Sequence, residues 1–355
     1  MKSKQIIINL IKVFLIVFLV VSFNLIMMPK YISENYDGRI IPEYYKEKMC
    51  PDVIFLGSST VYSGVSPCKL YEDYGFTSYV MASSSQTSWD SYYVLKEALK
   101  KGTPKMVILD IGFMNQDEDY AEEVSNRKLF DYMRPSKNKF EAIDVAKAEG
   151  ESKWDYFLPV LRYHERYKDI KAEDFLYAFY KPCVTYNGYI MSLIMSESLD
   201  DNPATLENAQ DYSLNSKNAE YLQRIISLCK DNGIDILLVK TPSYQAKWGM
   251  GFESEITNIA ALNGISYIDF DLYLDKMNID FLTDSPDRGG HLNLIGAEKY
   301  TYCLGAVISE NYDIPDRRQD KEYSDIWNSK LLKYNDDKML KVSAMFGEDI
   351  NGNAK

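Results

Sequence analysis

The most continuous apolar segment of the chain covers positions 6–28. Its polar interruptions are Asn9, Lys12, Ser22 and Asn24. A helix that crosses the hydrocarbon core of a bilayer needs about 20 apolar residues, so this segment predicts one transmembrane helix. Lys2, Lys4 and Lys12 lie at or before its start. Because positively charged flanks stay in the cytoplasm, the pattern predicts a cytoplasmic N-terminus, an anchor over 1–29 and an extracytoplasmic body at the cell membrane.

A cleaved signal peptide is the alternative interpretation of the same segment. Its apolar region normally spans about 7 to 15 residues before a cleavage site of small residues. Here the run is longer and ends in Ile26, Met27, Met28 and Pro29. The length and the missing cleavage site favour an uncleaved anchor.

Beyond the anchor, short apolar segments alternate with segments of helical periodicity, which is typical of a parallel sheet covered by helices. The predicted strands cover 53–56, 78–81, 106–111, 234–239 and 265–270. The predicted helices include 91–101, 216–230 and 294 to about 309. The clearest helix is 216–230, because its apolar residues recur at helical spacing before Asn232 and Gly233. The pattern therefore predicts an α/β fold with a three-layer α/β/α arrangement.

The remaining segments set the predicted domain boundaries. Residues 30–49 are predicted to form a polar stalk, and 50–312 the α/β domain. Within that domain, the charged and tyrosine-rich stretch 113–212 interrupts the alternation, so it is predicted to be a mostly helical insertion or lid. The tail over 313–355 is predicted to form one or two peripheral helices packed on the domain.

Charge and cysteine content narrow the classes of partner and site. Lys and Arg total 40 against 52 Asp and Glu, giving a formal net charge of −12. Phosphate backbones require clustered Lys and Arg, so no nucleic-acid partner is expected. The cysteines are Cys50, Cys68, Cys183, Cys229 and Cys303. Their odd number and unpaired spacing predict neither a zinc site nor a disulfide framework.

Two distant motifs carry the candidate chemistry. The chain has only two histidines, and His291 follows Asp287 closely in a glycine-containing segment. A carboxylate near a histidine can orient the imidazole and stabilise its protonated form. A nucleophile is available in Ser59, which follows the first predicted strand and Gly57. The open alternative is that residues 57–60 form an ordinary polar turn whose serines cap a helix.

The order of these motifs, strand/Gly/Ser/Ser early and Asp/His/Leu/Asn late, resembles that of the SGNH (GDSL-type) hydrolase superfamily. The resemblance is greatest to its membrane-anchored DltD-like branch, whose members accompany membrane-bound O-acyltransferases in the modification of cell-wall polymers. It implies a flavodoxin-like sheet, with Ser59 as nucleophile and His291 as base. The family places its acid three residues before the histidine, where this chain has Arg288. Asp287 is therefore the expected acid, and Asp284 is the alternative.

The resemblance also implies an oxyanion hole. The family's first motif contributes the backbone N–H of the nucleophile, here Ser59. Its second motif contributes another backbone N–H, and the nearest counterparts here are Ala82 and Ser83. The third motif, Gly/x/Asn/Asp, does not occur in this sequence, and Asn115 after the third predicted strand is the nearest asparagine.

Five further residues are candidates for substrate contact: Ser58, Thr241, Ser243, His164 and Arg166. Ser58 belongs to the nucleophile motif, and Thr241 and Ser243 follow a strand at the same edge of the predicted sheet. His164 and Arg166 lie in the insertion among aromatic residues. The alternative for His164 is an ordinary surface or packing role.

Together the motifs predict acyl transfer through an acyl-serine, resolved by water or by a polymer hydroxyl. The expected substrate is an acetyl or D-alanyl ester on a cell-surface polysaccharide or teichoic-acid-like polymer, and a membrane-bound O-acyltransferase is the expected protein partner. No metal or cofactor is expected. Two alternatives remain: a noncatalytic protein of this fold that binds a glycan or an acyltransferase, and an anchored lipase or carboxylesterase.

Overall fold

The computed structural model describes residues 2–30, 36–115, 121–180, 182–199, 213–244 and 249–345. The end of the predicted insertion, 200–212, and the end of the predicted tail, 346–355, lie outside these residues.

Five short apolar runs form the strands of one parallel sheet. They are β1 (Val53–Gly57), β2 (Ser78–Ala82), β3 (Met106–Asp110), β4 (Asp235–Lys240) and β5 (Ser266–Asp269). The strand order is β2-β1-β3-β4-β5, and every neighbouring pair is parallel. This is the order of flavodoxin-like sheets, in which the chain reverses its direction of progress between β1 and β3. Ligand sites in open α/β sheets lie at the carboxyl ends of the strands beside that reversal.

Sixteen α-helices lie in the described residues. They are α1 (Lys2–Met27), α2 (Ile40–Tyr44), α3 (Ser59–Gly64), α4 (Pro67–Tyr74), α5 (Ser88–Ala98), α6 (Glu123–Phe130), α7 (Lys137–Ala146), α8 (Lys153–Phe157), α9 (Val160–Tyr163), α10 (Ala172–Phe179), α11 (Ser216–Asp231), α12 (Met250–Asn263), α13 (Leu274–Met277), α14 (Phe281–Asp284), α15 (Leu294–Asn311) and α16 (Lys321–Met345). Short 3-10 helices cover Tyr36–Arg39, Gly112–Met114, His164–Lys168, Phe270–Tyr273 and Arg317–Gln319.

The sheet is covered on both faces. Successive side chains of a strand point to opposite faces, so strands that are buried along their length need helices on each side. One core cluster joins Ile54 and Leu56 of β1 to helices α5, α11 and α12. The other joins Val53 and Phe55 of the same strand to α3, α4 and α15. The predicted α/β class with a parallel sheet is therefore confirmed.

Hydrogen bonds that cap the helix N-termini explain why one predicted helix start is right and another is shifted. Helix α5 begins three residues before the predicted start, because Thr87 and Asp90 form a capping box at its N-terminus. Helix α15 begins where predicted, since the Asn293 side chain accepts hydrogen bonds from the N–H groups of Ile295 and Gly296.

The apolar N-terminal segment forms α1, whose residues Ser3–Met27 are long and apolar enough to cross a membrane by length and composition. The chain that follows differs from the predicted polar stalk, because residues 40–44 form the buried helix α2. Ile40, Ile41 and Tyr44 join the core against β2. The Tyr79 hydroxyl donates to the Ile40 carbonyl at 2.9 Å. These apolar side chains and this hydrogen bond attach the segment to the α/β domain.

The insertion is helical in its first part, over α6 to α10. Its second part, 182–199, has no helix and runs along the edge of the sheet. The Val80 N–H donates to the Asn187 carbonyl at 2.9 Å, and the Leu294 N–H donates to the Ser192 carbonyl at 2.7 Å. This part of the insertion therefore reaches from the edge strand β2 to the loop that carries His291.

Candidate active site

The turn after β1 places Ser59 at the carboxyl edge of the sheet. Gly57 has φ +152°, and a Cβ there would lie 2.5 Å from Val61 Cγ2 and 2.7 Å from Asp110 Cβ. Only glycine fits this position without displacing its neighbours. Ser59 is then the first residue of α3, beside the reversal between β1 and β3.

The two distant motifs meet at this edge. His291 Nε2 lies 2.8 Å from Ser59 Oγ. The other ring nitrogen, Nδ1, is hydrogen-bonded to Asp287 Oδ2, and the His291 backbone N–H donates to Asp287 Oδ1 at 2.8 Å. A proton on Nδ1, held by the carboxylate, leaves Nε2 as the acceptor for the serine hydroxyl.

Asp287 is arranged to stay ionised. Partial burial by itself raises the pKa of its carboxyl, but the hydrogen bonds from His291 and Ser285 outweigh this and hold that pKa below its ordinary value. A carboxylate that remains charged can stabilise the imidazolium formed during proton transfer.

The spacing from Asp287 to His291 is one residue longer than in the family that the sequence resembles, and the loop between them accommodates the extra residue. Arg288 and Gly289 both adopt positive φ, at +64° and +95°. A Cβ at Gly289 would lie 2.4 Å from Tyr244 Cβ, so the loop also requires glycine for its close approach. The Gly289 N–H donates to Ser285 Oγ at 2.8 Å. The tight turn brings the Asp287 carboxylate back to the imidazole.

Asp284, the alternative acid, lies elsewhere. Its fully buried carboxylate contacts Lys299 Nζ at 2.6 Å and accepts the Asp280 N–H at 2.9 Å. The hydrogen bonds of the described residues join His291 to Asp287 and none join it to Asp284. Asp284 therefore stabilises the start of α15.

The residues expected to form the oxyanion hole lie after two different strands. Ala82 ends β2 and pairs in register with Gly57, so the chain at Ala82 and Ser83 runs beside the serine turn. The buried Ser83 Oγ has no hydrogen-bond partner within the described ranges. Asn115 follows the 3-10 helix Gly112–Met114, and no hydrogen bond in the described part of the chain joins it to Ser59.

A buried polar network, which the sequence does not predict, lies next to the helix that begins at Ser59. Asp37 Oδ2 accepts the Ser84 N–H at 3.0 Å and contacts Lys128 Nζ at 3.2 Å. The Tyr62 hydroxyl lies 3.2 Å from Ser84 Oγ, and Tyr62 is one turn after Ser59 on α3. Burial, with the nearby Asp37 and Asp287 carboxylates, raises the pKa of Tyr62 to about 12. The network connects the chain after β2 to α3 and to the insertion helix α6.

Ser58, Thr241 and Ser243, which follow strands and are candidates for substrate contact, make contacts that position loops. Ser58 is buried, with Oγ 3.3 Å from Thr60 Oγ1. The Thr241 N–H donates to Asp110 Oδ2 at 2.8 Å. Ser243 Oγ donates to the Gly290 carbonyl at 3.2 Å. Through Ser243, the end of β4 contacts the loop of His291, and direct contact of these three residues with a substrate stays a prediction.

His164 and Arg166 lie at the end of α1. The exposed His164 Nδ1 is hydrogen-bonded to the Leu161 carbonyl at 3.1 Å. Arg166 Nη1 donates to the Met27 carbonyl at 3.0 Å, and its Nη2 donates to Asp174 at 2.6 Å. The Arg166 guanidinium thus satisfies carbonyls that α1 leaves unpaired at its C-terminus. Direct contact of His164 and Arg166 with a substrate stays a prediction.

Within the described ranges, no group of three or more His, Cys, Asp or Glu side chains is close enough to hold a metal ion. The arrangement at Ser59 uses only a hydroxyl, an imidazole and a carboxylate, the groups of serine-dependent acyl transfer.

No protein-family model and no curated protein matches the sequence. Similar solved structures include a proposed acylhydrolase from Bacteroides fragilis, with 11% identity, coverage of 80% of this chain and 99% of that chain, and a TM-score of 0.38. A GDSL-like lipase from Bacteroides thetaiotaomicron has 12% identity, coverage of 77% of this chain and 97% of that chain, and a TM-score of 0.36.

Proposed function

We propose that this chain is a membrane-anchored serine esterase or O-acyltransferase whose catalytic groups are Ser59, His291 and Asp287. The observation that carries the proposal is the continuous hydrogen-bond path from Ser59 Oγ through the imidazole to the Asp287 carboxylate. Nucleophile, base and orienting acid in this order are the requirements for activating a serine hydroxyl near neutral pH.

In the proposed first half-reaction, Ser59 Oγ attacks the carbonyl carbon of an ester while its proton passes to His291 Nε2. Asp287 stabilises the resulting imidazolium. The carbonyl oxygen becomes an oxyanion, for which the backbone N–H groups of Ser59 and of the Ala82 to Ser83 stretch are the proposed donors. When the tetrahedral intermediate collapses, the C–O bond to the alcohol breaks, and His291 returns the proton to the departing oxygen.

The second half-reaction resolves the acyl-serine. A water or a polymer hydroxyl gives its proton to His291 and attacks the acyl carbon. Ser59 then leaves with that proton restored. Water yields an esterase, and a sugar or polyol hydroxyl yields an O-acyltransferase.

The substrate class and location belong to the same proposal. With α1 as an anchor and Lys2 and Lys4 in the cytoplasm, the catalytic domain faces the outside of the cell membrane. Acetyl or D-alanyl esters of a cell-surface polysaccharide or teichoic-acid-like polymer are the proposed substrates, on the strength of the resemblance to DltD-like proteins. A membrane-bound O-acyltransferase is the proposed partner.

The test is ester hydrolysis by the full chain in detergent, with p-nitrophenyl acetate as a reporter and acetylated or alanylated glycans as substrates. Ser59→Ala should reduce kcat by at least about 10³-fold, while Ser227→Ala, a change on the exposed side of α11, should leave it unchanged. Equal activity in the wild type and Ser59→Ala would contradict the proposal and favour a noncatalytic binding protein.

A further inference from the structure

Helices α8, α9 and α10 of the insertion, which follow one another in the chain, present large apolar side chains that are each at least half exposed. They are Trp154, Leu161, Phe175, Leu176, Phe179 and, directly after α10, Tyr180, with exposed fractions from 50% to 65%. We call this set of side chains the insertion face. Large contiguous apolar surfaces on a folded domain mark sites of association.

The insertion face lies beside the point where α1 leaves the domain. The last turn of α1 packs against α9, α10 and the 3-10 helix His164–Lys168. Three side-chain contacts fix it there. The Asn24 side-chain oxygen accepts the Val160 N–H at 2.9 Å, Arg166 donates to the Met27 carbonyl at 3.0 Å, and Lys30 Nζ lies 3.7 Å from Asp174 Oδ1.

The exposure of α1 changes at the same point. The large apolar side chains from Ile6 to Phe23 are 36–68% exposed, whereas Met27 is fully buried in the domain. At 1.5 Å per residue, residues 6–23 span about 27 Å, close to the thickness of a hydrocarbon core. The bilayer surface must therefore lie near Asn24, because a shift in either direction would bury polar groups in lipid or leave apolar helix in water.

Helix α10 has the pattern of a helix lying in a membrane surface. Phe175, Leu176 and Phe179 are exposed, while Asp174 on the opposite side is buried against Arg166 and Lys30. Tyr180 directly follows α10 and Trp154 lies on α8, and both are more than half exposed. Tyrosine and tryptophan are enriched where lipid head groups meet acyl chains.

We infer that the insertion face is a second, monotopic membrane contact that lies in the head-group region of the outer leaflet. The inference rests on the proposed role of α1 as a membrane anchor. With α1 alone, the catalytic domain would rotate about one helix. With α10 also in the interface, the domain has a fixed orientation, so Ser59 stands at a set height above the membrane.

The test uses the full chain in phosphatidylcholine and phosphatidylglycerol vesicles whose acyl chains carry bromine, a short-range quencher of tryptophan fluorescence. The contribution of Trp154 is the difference between wild type and Trp154→Phe. The matched control adds a tryptophan by Leu262→Trp, at a position on α12 that is 87% exposed. Vesicle flotation in the same samples measures anchoring separately.

The expected result is that brominated lipid quenches Trp154 emission at least twofold and leaves the added tryptophan of Leu262→Trp unchanged. If the chain floats with the vesicles but Trp154 is quenched only by aqueous acrylamide, the inference is wrong and the face is open to a protein partner. If the chain does not float, both the anchor and the inference fail. Esterase activity in detergent is independent of these outcomes, so a failure of the catalytic proposal is distinguishable.

Discussion

His291 Nε2 lies 2.8 Å from Ser59 Oγ, although 232 residues separate the two positions in the chain. Nothing local connects them. The contact exists because Ser59 follows β1 at the carboxyl edge of the sheet and the loop before α15 returns to the same edge. Because the two residues are so far apart in the chain, a measurement that depends on this contact tests both the fold and the proposed chemistry.

The first prediction separates the two candidate acids. Asp287→Asn should lower kcat by about 10⁴-fold without changing thermal stability appreciably, because the amide no longer favours the imidazole tautomer that accepts a proton at Nε2. Asp284→Asn should destabilise the protein by about 1–3 kcal/mol, because it removes a buried partner of Lys299, yet retain activity while folded. Ester hydrolysis and thermal unfolding of both variants measure this. Inactivity of folded Asp284→Asn with activity in Asp287→Asn would reverse the assignment.

The second prediction concerns the loop geometry at Gly289. Gly289→Ala should lower both stability and kcat, because its Cβ would press on Tyr244 and move the turn that carries Asp287. The matched control is Gly150→Ala, which has a similar φ of +90° but nothing within 4 Å of the added Cβ. The control should lose about 1 kcal/mol from backbone strain and keep its kcat. Equal effects on kcat in the two variants would show that the loop is not held by this contact.

The third prediction concerns the buried pair Asp37 and Lys128. Lys128→Met should cost about 3–5 kcal/mol, because it leaves the buried Asp37 carboxylate without this ammonium group. The double variant Asp37→Asn/Lys128→Met should recover part of that loss. Lys321→Met removes an exposed pair with Asp325 and should cost about 0–1 kcal/mol. Thermal unfolding in detergent provides the comparison, and additive losses in the double variant would contradict the coupling.

The fourth prediction is a pH dependence of stability. Burial raises the pKa of Asp90 to about 6, above the value of about 3.9 for an unfolded aspartate. Between these values the native state binds more protons than the unfolded state, so the free energy of unfolding falls as the pH rises. Burial also raises the pKa values of Asp131 and Asp269 to about 6. We therefore expect a higher melting temperature at about pH 5 than at about pH 7.

The variant Asp90→Asn isolates one part of this dependence. It should weaken the change in stability between the two pH values by an amount on the order of 2 kcal/mol or less. Asp287, whose pKa is lowered, acts in the opposite sense, and only as the pH falls below the ordinary aspartate range. An unchanged pH profile in Asp90→Asn would show that this carboxyl is not the group that titrates.

The sequence predicts the sheet well because each strand is a short apolar run with a distinct boundary, as at Val53–Gly57 and Met106–Asp110. It also predicts Ser59, His291 and Asp287 as candidate catalytic residues, and the structure brings their side chains within hydrogen-bond distance of one another. It does not predict α2, because the few apolar residues of Ile40–Tyr44 are buried only through tertiary packing.

The sequence gives no indication of the Asp37 and Lys128 pair. Asp37 lies in the predicted stalk and Lys128 in the predicted insertion, so no spacing rule links them. Arg166 shows the same limit. Its partners are the carbonyl groups at the end of a helix more than a hundred residues earlier, and no local pattern in the sequence predicts that contact.

The most direct measurement is labelling of the full chain in detergent with a fluorophosphonate, which reacts covalently with activated serines, followed by mapping of the labelled peptide. Activation of Ser59 by His291 predicts label on Ser59 in the wild type and in Ser227→Ala, and loss of label in Ser59→Ala and His291→Ala. A folded wild type that remains unlabelled, or label that persists in His291→Ala, would contradict the proposed activation of Ser59.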